Sequence, residues 1–226
     1  DVERSRGLGD VYKRQLDYLF GGASDKAVTN YMPDGGLLTS DGQGNYSFDA
    51  ASKYAKYNGN SNRFELTKQT QSGDRNPLFT PFGNDSDADR YSFGMNLGAD
   101  FYMPKDGKVN NQNMVFDFTG DDDVWVFIDG VLVLDLGGIH QAIRGTIDFA
   151  TGNITYDRNQ SYGSDRATTI NQAFSNAGKN WDSAAYKTHH LSFFYLERGD
   201  GGSNCKISFN LPVKPSKAID IEKQTL

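Results

Sequence analysis

Residues 124–128 read Val-Trp-Val-Phe-Ile, residues 131–136 read Val-Leu-Val-Leu-Asp-Leu, and Asp129-Gly130 stands between them. Two short, β-branched and aromatic runs separated by two residues suited to positive φ specify a tight hairpin. Runs this apolar imply burial on both faces, so the segment is expected as two adjacent central strands.

Other segments repeat the period of two. Met114, Phe116 and Phe118 alternate with Val115 and Asp117, and Cys205, Ile207, Phe209 and Leu211 alternate with Lys206, Ser208 and Asn210. A second hairpin is read from Ile147 and Phe149, the turn Ala150-Thr151-Gly152-Asn153, and Ile154 and Tyr156 returning; residues 190–196 form a further apolar strand. Residues 168–178 suit a short surface helix, with Ile170, Ala173, Phe174 and Ala177 at helical spacing and Gly178 as a stop. The 25 glycines fit many short strands joined by tight turns. The expected fold is an all-β antiparallel β-sandwich over residues 16–211 with one short surface helix. Residues 16–89 read as short strands and loops. There Asp49 suits either the cap of a brief helix through Tyr57 or strand text.

Residues 1–15 show no periodicity and read as a leader foreign to the fold, whereas residues 212–226 read as a Pro- and Lys-containing linker and the start of a following module. A net charge of −6 argues against a nucleic-acid partner, which requires a basic face. No apolar run reaches the length of a membrane-spanning helix, so membrane insertion by this segment is not expected. With Cys205 as the single cysteine, no internal disulfide forms.

The segment that carries functional chemistry is Phe118-Thr119-Gly120-Asp121-Asp122-Asp123-Val124-Trp125. Three adjacent carboxylates at the mouth of an apolar strand repel one another, and a hard divalent cation with oxygen ligands relieves that repulsion. Successive strand side chains point to opposite faces, so an irregularity is expected between Asp121 and Asp122 if both are to grip one ion.

The string FTGDDDVWVFIDGVLVLDLGGIH resembles the signature of bacterial fibro-slime domains, a branch of the PA14-like superfamily. FFYLERGDGGSNCKISFNL and Tyr91-Ser92-Phe93-Gly94-Met95 are similar to other blocks of the same domains. The resemblance implies a calcium-dependent carbohydrate-binding (lectin-like) adhesion module, extracellular and on a bacterial cell surface as part of a larger chain, with glycans as partners. It implies Ca²⁺ held by Asp121 and Asp122 across a cis or otherwise strained peptide bond, with Asn204 or Asp200 supplying a third side chain. Asp123 stands where the lectin pattern has Gly, and is expected to point away from the ion or cover it. Trp181 and Tyr162, in loop-like text, are the candidates for stacking on sugar.

Blander readings apply elsewhere. Asp85, Asp87 and Asp89 imitate an EF-hand opening, but Arg90 and Asn96 occupy its Gly and Glu positions. His140, His189 and His190 lack zinc-ligand spacing and are read as structural or surface residues, and Trp125 as core. The chain is expected not to be an enzyme. The alternatives are a structural spacer rigidified by a buried ion, and a glycoside hydrolase pairing the acidic turn with Glu197.

Overall fold

The computed structural model describes residues 36–61, 63–70, 79–82, 91, 93–121, 123–138, 140–157, 166–181, 187–197 and 203–212. The strands are β1 (Thr39–Ser40), β2 (Tyr46–Asp49), β3 (Lys53–Asn58), β4 (Arg63–Lys68), β5 (Phe93–Met103), β6 (Lys108–Val109), β7 (Gln112–Asn113) and β8 (Val115–Gly120). They continue as β9 (Asp123–Ile128), β10 (Val131–Asp135), β11 (Ile143–Asp148), β12 (Asn153–Asp157) and β13 (Arg166–Thr169). A single helix, α1 (Ile170–Asn176), precedes β14 (Lys187–Glu197) and β15 (Cys205–Phe209) among the described residues.

The fold is an all-β antiparallel sandwich. A seven-stranded sheet runs β1-β2-β15-β8-β11-β12-β13 and faces a four-stranded sheet ordered β10-β9-β14-β5, with β3-β4 and β6-β7 as separate ribbons. Side chains from both sheets fill one core, as alternation along each strand requires. Its centre is aromatic: Phe193 of β14 lies 5.4 Å from Phe118 and 6.0 Å from Phe116 of β8, centroid to centroid. Rings at such offsets contribute beyond their burial.

The expected hairpin forms, with Asp129 at φ 50° and Gly130 at φ 74° in its turn. Both central residues take positive φ, as the turn that matches strand twist demands. The two strands are not both central, however. β9 lies between β10 and β14, whereas β10 is an edge strand, covered by α1. Val133 is an extra residue in β10, since pairing steps from Leu132↔Phe127 to Leu134↔Val126. The bulge turns the carbonyl of Val133 to the Tyr156 hydroxyl, which donates to it at 3.2 Å.

The second hairpin forms as read, β11 with β12, and Asp148 accepts the N–H groups of Ala150 and Thr151 in its turn. α1 is shorter than its sequence pattern: Thr169 caps it by accepting the N–H of Gln172, and Gly178 follows at φ 71°. The Asp49 segment resolves as strand, with the Asp49 carboxylate accepting the N–H of Ala51 in the turn from β2 to β3. Residues 1–15, the Asp85 to Asp89 run, Tyr162, and the segment after Pro212 lie outside the described residues.

Candidate functional site

The acidic turn is where the chain leaves the seven-stranded sheet for the four-stranded one. β8 ends at Gly120, which pairs with Ile143 on one side and Cys205 on the other. A Cβ at Gly120 would stand 2.5 Å from the Phe118 ring and 2.8 Å from the Asn204 carbonyl oxygen, so close approach requires glycine here.

Two carboxylates of the turn are described, and each binds a backbone amide. Asp121 Oδ1 accepts the N–H of Asn204 at 2.6 Å. Asp123 is 3% exposed, and its Oδ1 accepts the N–H of Gly138 at 2.6 Å. The first bond reaches the segment joining β14 to β15, which is the return passage between the sheets; the second reaches the loop after β10. Charge-assisted bonds of this length hold a loop firmly.

Beneath the turn lies a sealed polar cluster. The Tyr195 hydroxyl donates to Glu197 Oε2 at 2.8 Å and lies 3.1 Å from Ser203 Oγ, which in turn donates to the Phe79 carbonyl at 2.7 Å. Burial first, and then the negative charge of Glu197, push the Tyr195 phenol well above its ordinary value. Burial likewise pushes the Cys205 thiol up, so it stays a protonated, unreactive group.

Asp121 and Asn204 are thus brought together. Asp122 and Asp200 lie outside the described residues, and with them the geometry of the Asp121-Asp122 bond. Among the described residues, no group of three or more His, Cys, Asp or Glu side chains is placed to hold an ion. Asp123 is buried in the join between strands, turned to the Gly138 N–H.

Trp181 belongs to a different place. Its ring lies 5.0 Å from Phe174 and 4.6 Å from His189, whereas Glu197 is at the other end of β14. Eight residue steps along the strand lead from His189 to Glu197, roughly 26 Å. Trp125 is half-buried on the outer face of the four-stranded sheet, beside Phe127, Phe194 and Leu132, rather than in the main core.

Sequence reasoning missed the cluster around His189. The ring is 4% exposed, with Nδ1 2.6 Å from Asp129 Oδ2, while Asp129 Oδ1 accepts the N–H of His190 at 2.9 Å. Nδ1 must carry the proton to donate to that carboxylate, which fixes the tautomer of the neutral ring. Nearby, His190 Nδ1 is 2.7 Å from Asp100 Oδ1. The available signal was the Asp129-Gly130 turn itself, whose side chain points back toward the neighbouring strand.

No family model matches the chain. It is similar to proteins of Dictyostelium discoideum, among them psiF, 35% identical over 127 residues (56% of this chain, 15% of psiF); psiI, 34% over 101 residues (45% and 13%); and psiB, 29% over 166 residues (74% and 23%). The chain spans less than a quarter of the length of these relatives. A solved structure of a functionally unknown Saccharomyces cerevisiae protein aligns with 83% of the chain at 11% identity and a TM-score of 0.20, too low to carry an argument.

These relatives are eukaryotic, and they correct the identification as a bacterial fibro-slime domain of the PA14-like superfamily. The function drawn from that identification, a calcium-dependent carbohydrate-binding adhesion module of a bacterial surface protein, is corrected with it. Asp121 and Asp123 are engaged by backbone amides, and Glu197, the proposed hydrolase partner, is 1% exposed.

Proposed function

We propose that the chain is a non-catalytic β-sandwich module of a longer extracellular protein, contributing a stiff folded unit to that protein rather than a reaction. One observation carries the reading: the described carboxylates of the acidic turn are committed to backbone amides, and the neighbouring Glu197 is sealed in the core. A hydrolytic pair must reach opposite sides of a substrate bond, which groups so placed do not do. The small share of each relative that the chain matches supports a unit within a longer protein.

The test uses the whole chain. It is incubated with chromogenic ester, phosphate and glycoside substrates beside the Asp121→Asn and Glu197→Gln variants. No turnover above the buffer rate is expected. Turnover that falls in either variant would overturn the non-catalytic reading.

A further inference from the structure

Two Asn-x-Ser/Thr triplets lie among the described residues: Asn45-Tyr46-Ser47 and Asn153-Ile154-Thr155. We propose that Asn45 and Asn153 are acceptors of N-linked glycan, an inference that rests on the extracellular reading above. The triplet alone is a weak sign, because a chain rich in Asn, Ser and Thr produces it by chance. Two further triplets, at Asn84 and Asn159, lie outside the described residues.

Placement in the fold distinguishes these two. Both asparagines are exposed, and each immediately follows a turn at the start of a strand pairing, β2 for Asn45 and β12 for Asn153. Tyr46, Phe209, Phe116, Ile147 and Ile154 form one continuous row across five strands of the large sheet. Asn45 and Asn153 each stand one residue beyond that row, at the same end. Four inter-strand steps separate them, about 19 Å. Along β12, Ile154 points into the core, so Asn153 and Thr155 both face outward.

The opposite end of the same sheet holds Gly120, Cys205 and the Asp121 to Asn204 bond. Glycans at Asn45 and Asn153 would therefore project away from the join between sheets and burden no packed contact. The Asn153 amide makes no side-chain hydrogen bond among the described residues. The Asn45 amide donates to the Asp41 carboxylate, and a glycosylated amide keeps one N–H for that bond.

The transfer is balanced by a lipid-pyrophosphate-linked oligosaccharide as co-reactant. The asparagine amide nitrogen forms a bond to the anomeric carbon, the carbon–oxygen bond to pyrophosphate breaks, the lipid pyrophosphate departs with the electron pair, and the amide loses one proton to solvent. The Ser or Thr hydroxyl two residues on completes the acceptor. The relatives psiF and psiB are proteins of a eukaryote, whose cells possess this chemistry.

The whole chain is produced behind a cleavable secretion leader in cultured eukaryotic cells, and the medium and cell fractions are digested with peptide N-glycosidase and mapped by mass spectrometry. Digestion is expected to leave Asp at positions 45 and 153. Asn153→Gln and Thr155→Ala should each remove one glycan and Thr155→Ser retain it; Asn45→Gln and Ser47→Ala should do the same for the other site. Secretion with both asparagines unmodified overturns this proposal and leaves the extracellular reading standing. Retention in the cell with both unmodified overturns the two together.

Discussion

Asp121 accepts the backbone N–H of Asn204 across 2.6 Å, and so ties the passage from β8 into β9 to the passage from β14 into β15. A carboxylate bond to a part-buried amide contributes about 1.5–3 kcal/mol. Asp121→Ala should lower unfolding stability by that amount in urea titration, and Asp121→Asn by less, because its carbonyl oxygen still accepts. Equal stability of Asp121→Ala and the parent chain would show that this bond holds nothing.

Two glycines on the paired strands β8 and β11 should respond differently to one added carbon. At Gly120 a Cβ meets the Phe118 ring and the Asn204 backbone, whereas at Gly145 it meets the methyl ends of Leu134 and Leu136 at 2.7 to 3.1 Å. Branched side-chain ends give way more easily than backbone. Gly120→Ala is expected to cost at least about 3 kcal/mol and Gly145→Ala about 1–3 kcal/mol, the usual range for overpacking. Thermal unfolding of both variants checks the order, and the reverse order would contradict the packing described.

Tyr195→Phe removes a hydroxyl and leaves the ring. It deprives buried Glu197 of the donor at 2.8 Å and Ser203 of its neighbour, at a cost of about 1–3 kcal/mol. Denaturant unfolding gives the cost, and a spectrophotometric phenol titration gives a second measure. One tyrosine of the folded parent should resist ionisation beyond the ordinary range and be missing from the variant.

Acid stability should report on the Asp129 carboxyl. Burial, its largest single influence, raises it, but hydrogen bonds from His189 and His190 and the charges of both imidazoles outweigh burial and hold it below the ordinary 3.8. A carboxyl held low contributes stability that is present above its unfolded value and lost as pH falls through its folded value. Asp129→Asn tolerates the same positive φ, so the turn is kept while the charge and one of the two acceptor oxygens are removed. The parent should be the more stable at pH above 3.8, with the gap closing below it. A gap unchanged into strong acid would assign the difference to something other than this carboxyl.

Local signals carried most of the fold. The Asp129-Gly130 hairpin, the β11–β12 hairpin and α1 were legible because turn residues and side-chain period sit within a few positions of one another. The edge position of β10 and the bulge at Val133 were not, since an apolar strand reads alike whether a neighbouring strand or a helix covers it. At the site, three carboxylates in a row suggested an ion. Burial of Asp123 against Gly138 depends on a loop fifteen residues away, and no period in the chain announces it. The His189 pairing with Asp129 spans sixty residues and was equally invisible.

The last two strands described are not added to the margins of their sheets. β14 lies between β9 and β5, and β15 lies between β2 and β8, pairing Tyr46 with Phe209. A chain emerging from the ribosome therefore holds β2 and β8, and likewise β5 and β9, as halves with nothing between them until its final described segment has been made. Neither sheet closes until β14 and β15 have been made, so the native state forms late, through pairings distant in sequence and correspondingly slow. In that interval the apolar strand edges of both halves stand open to other chains.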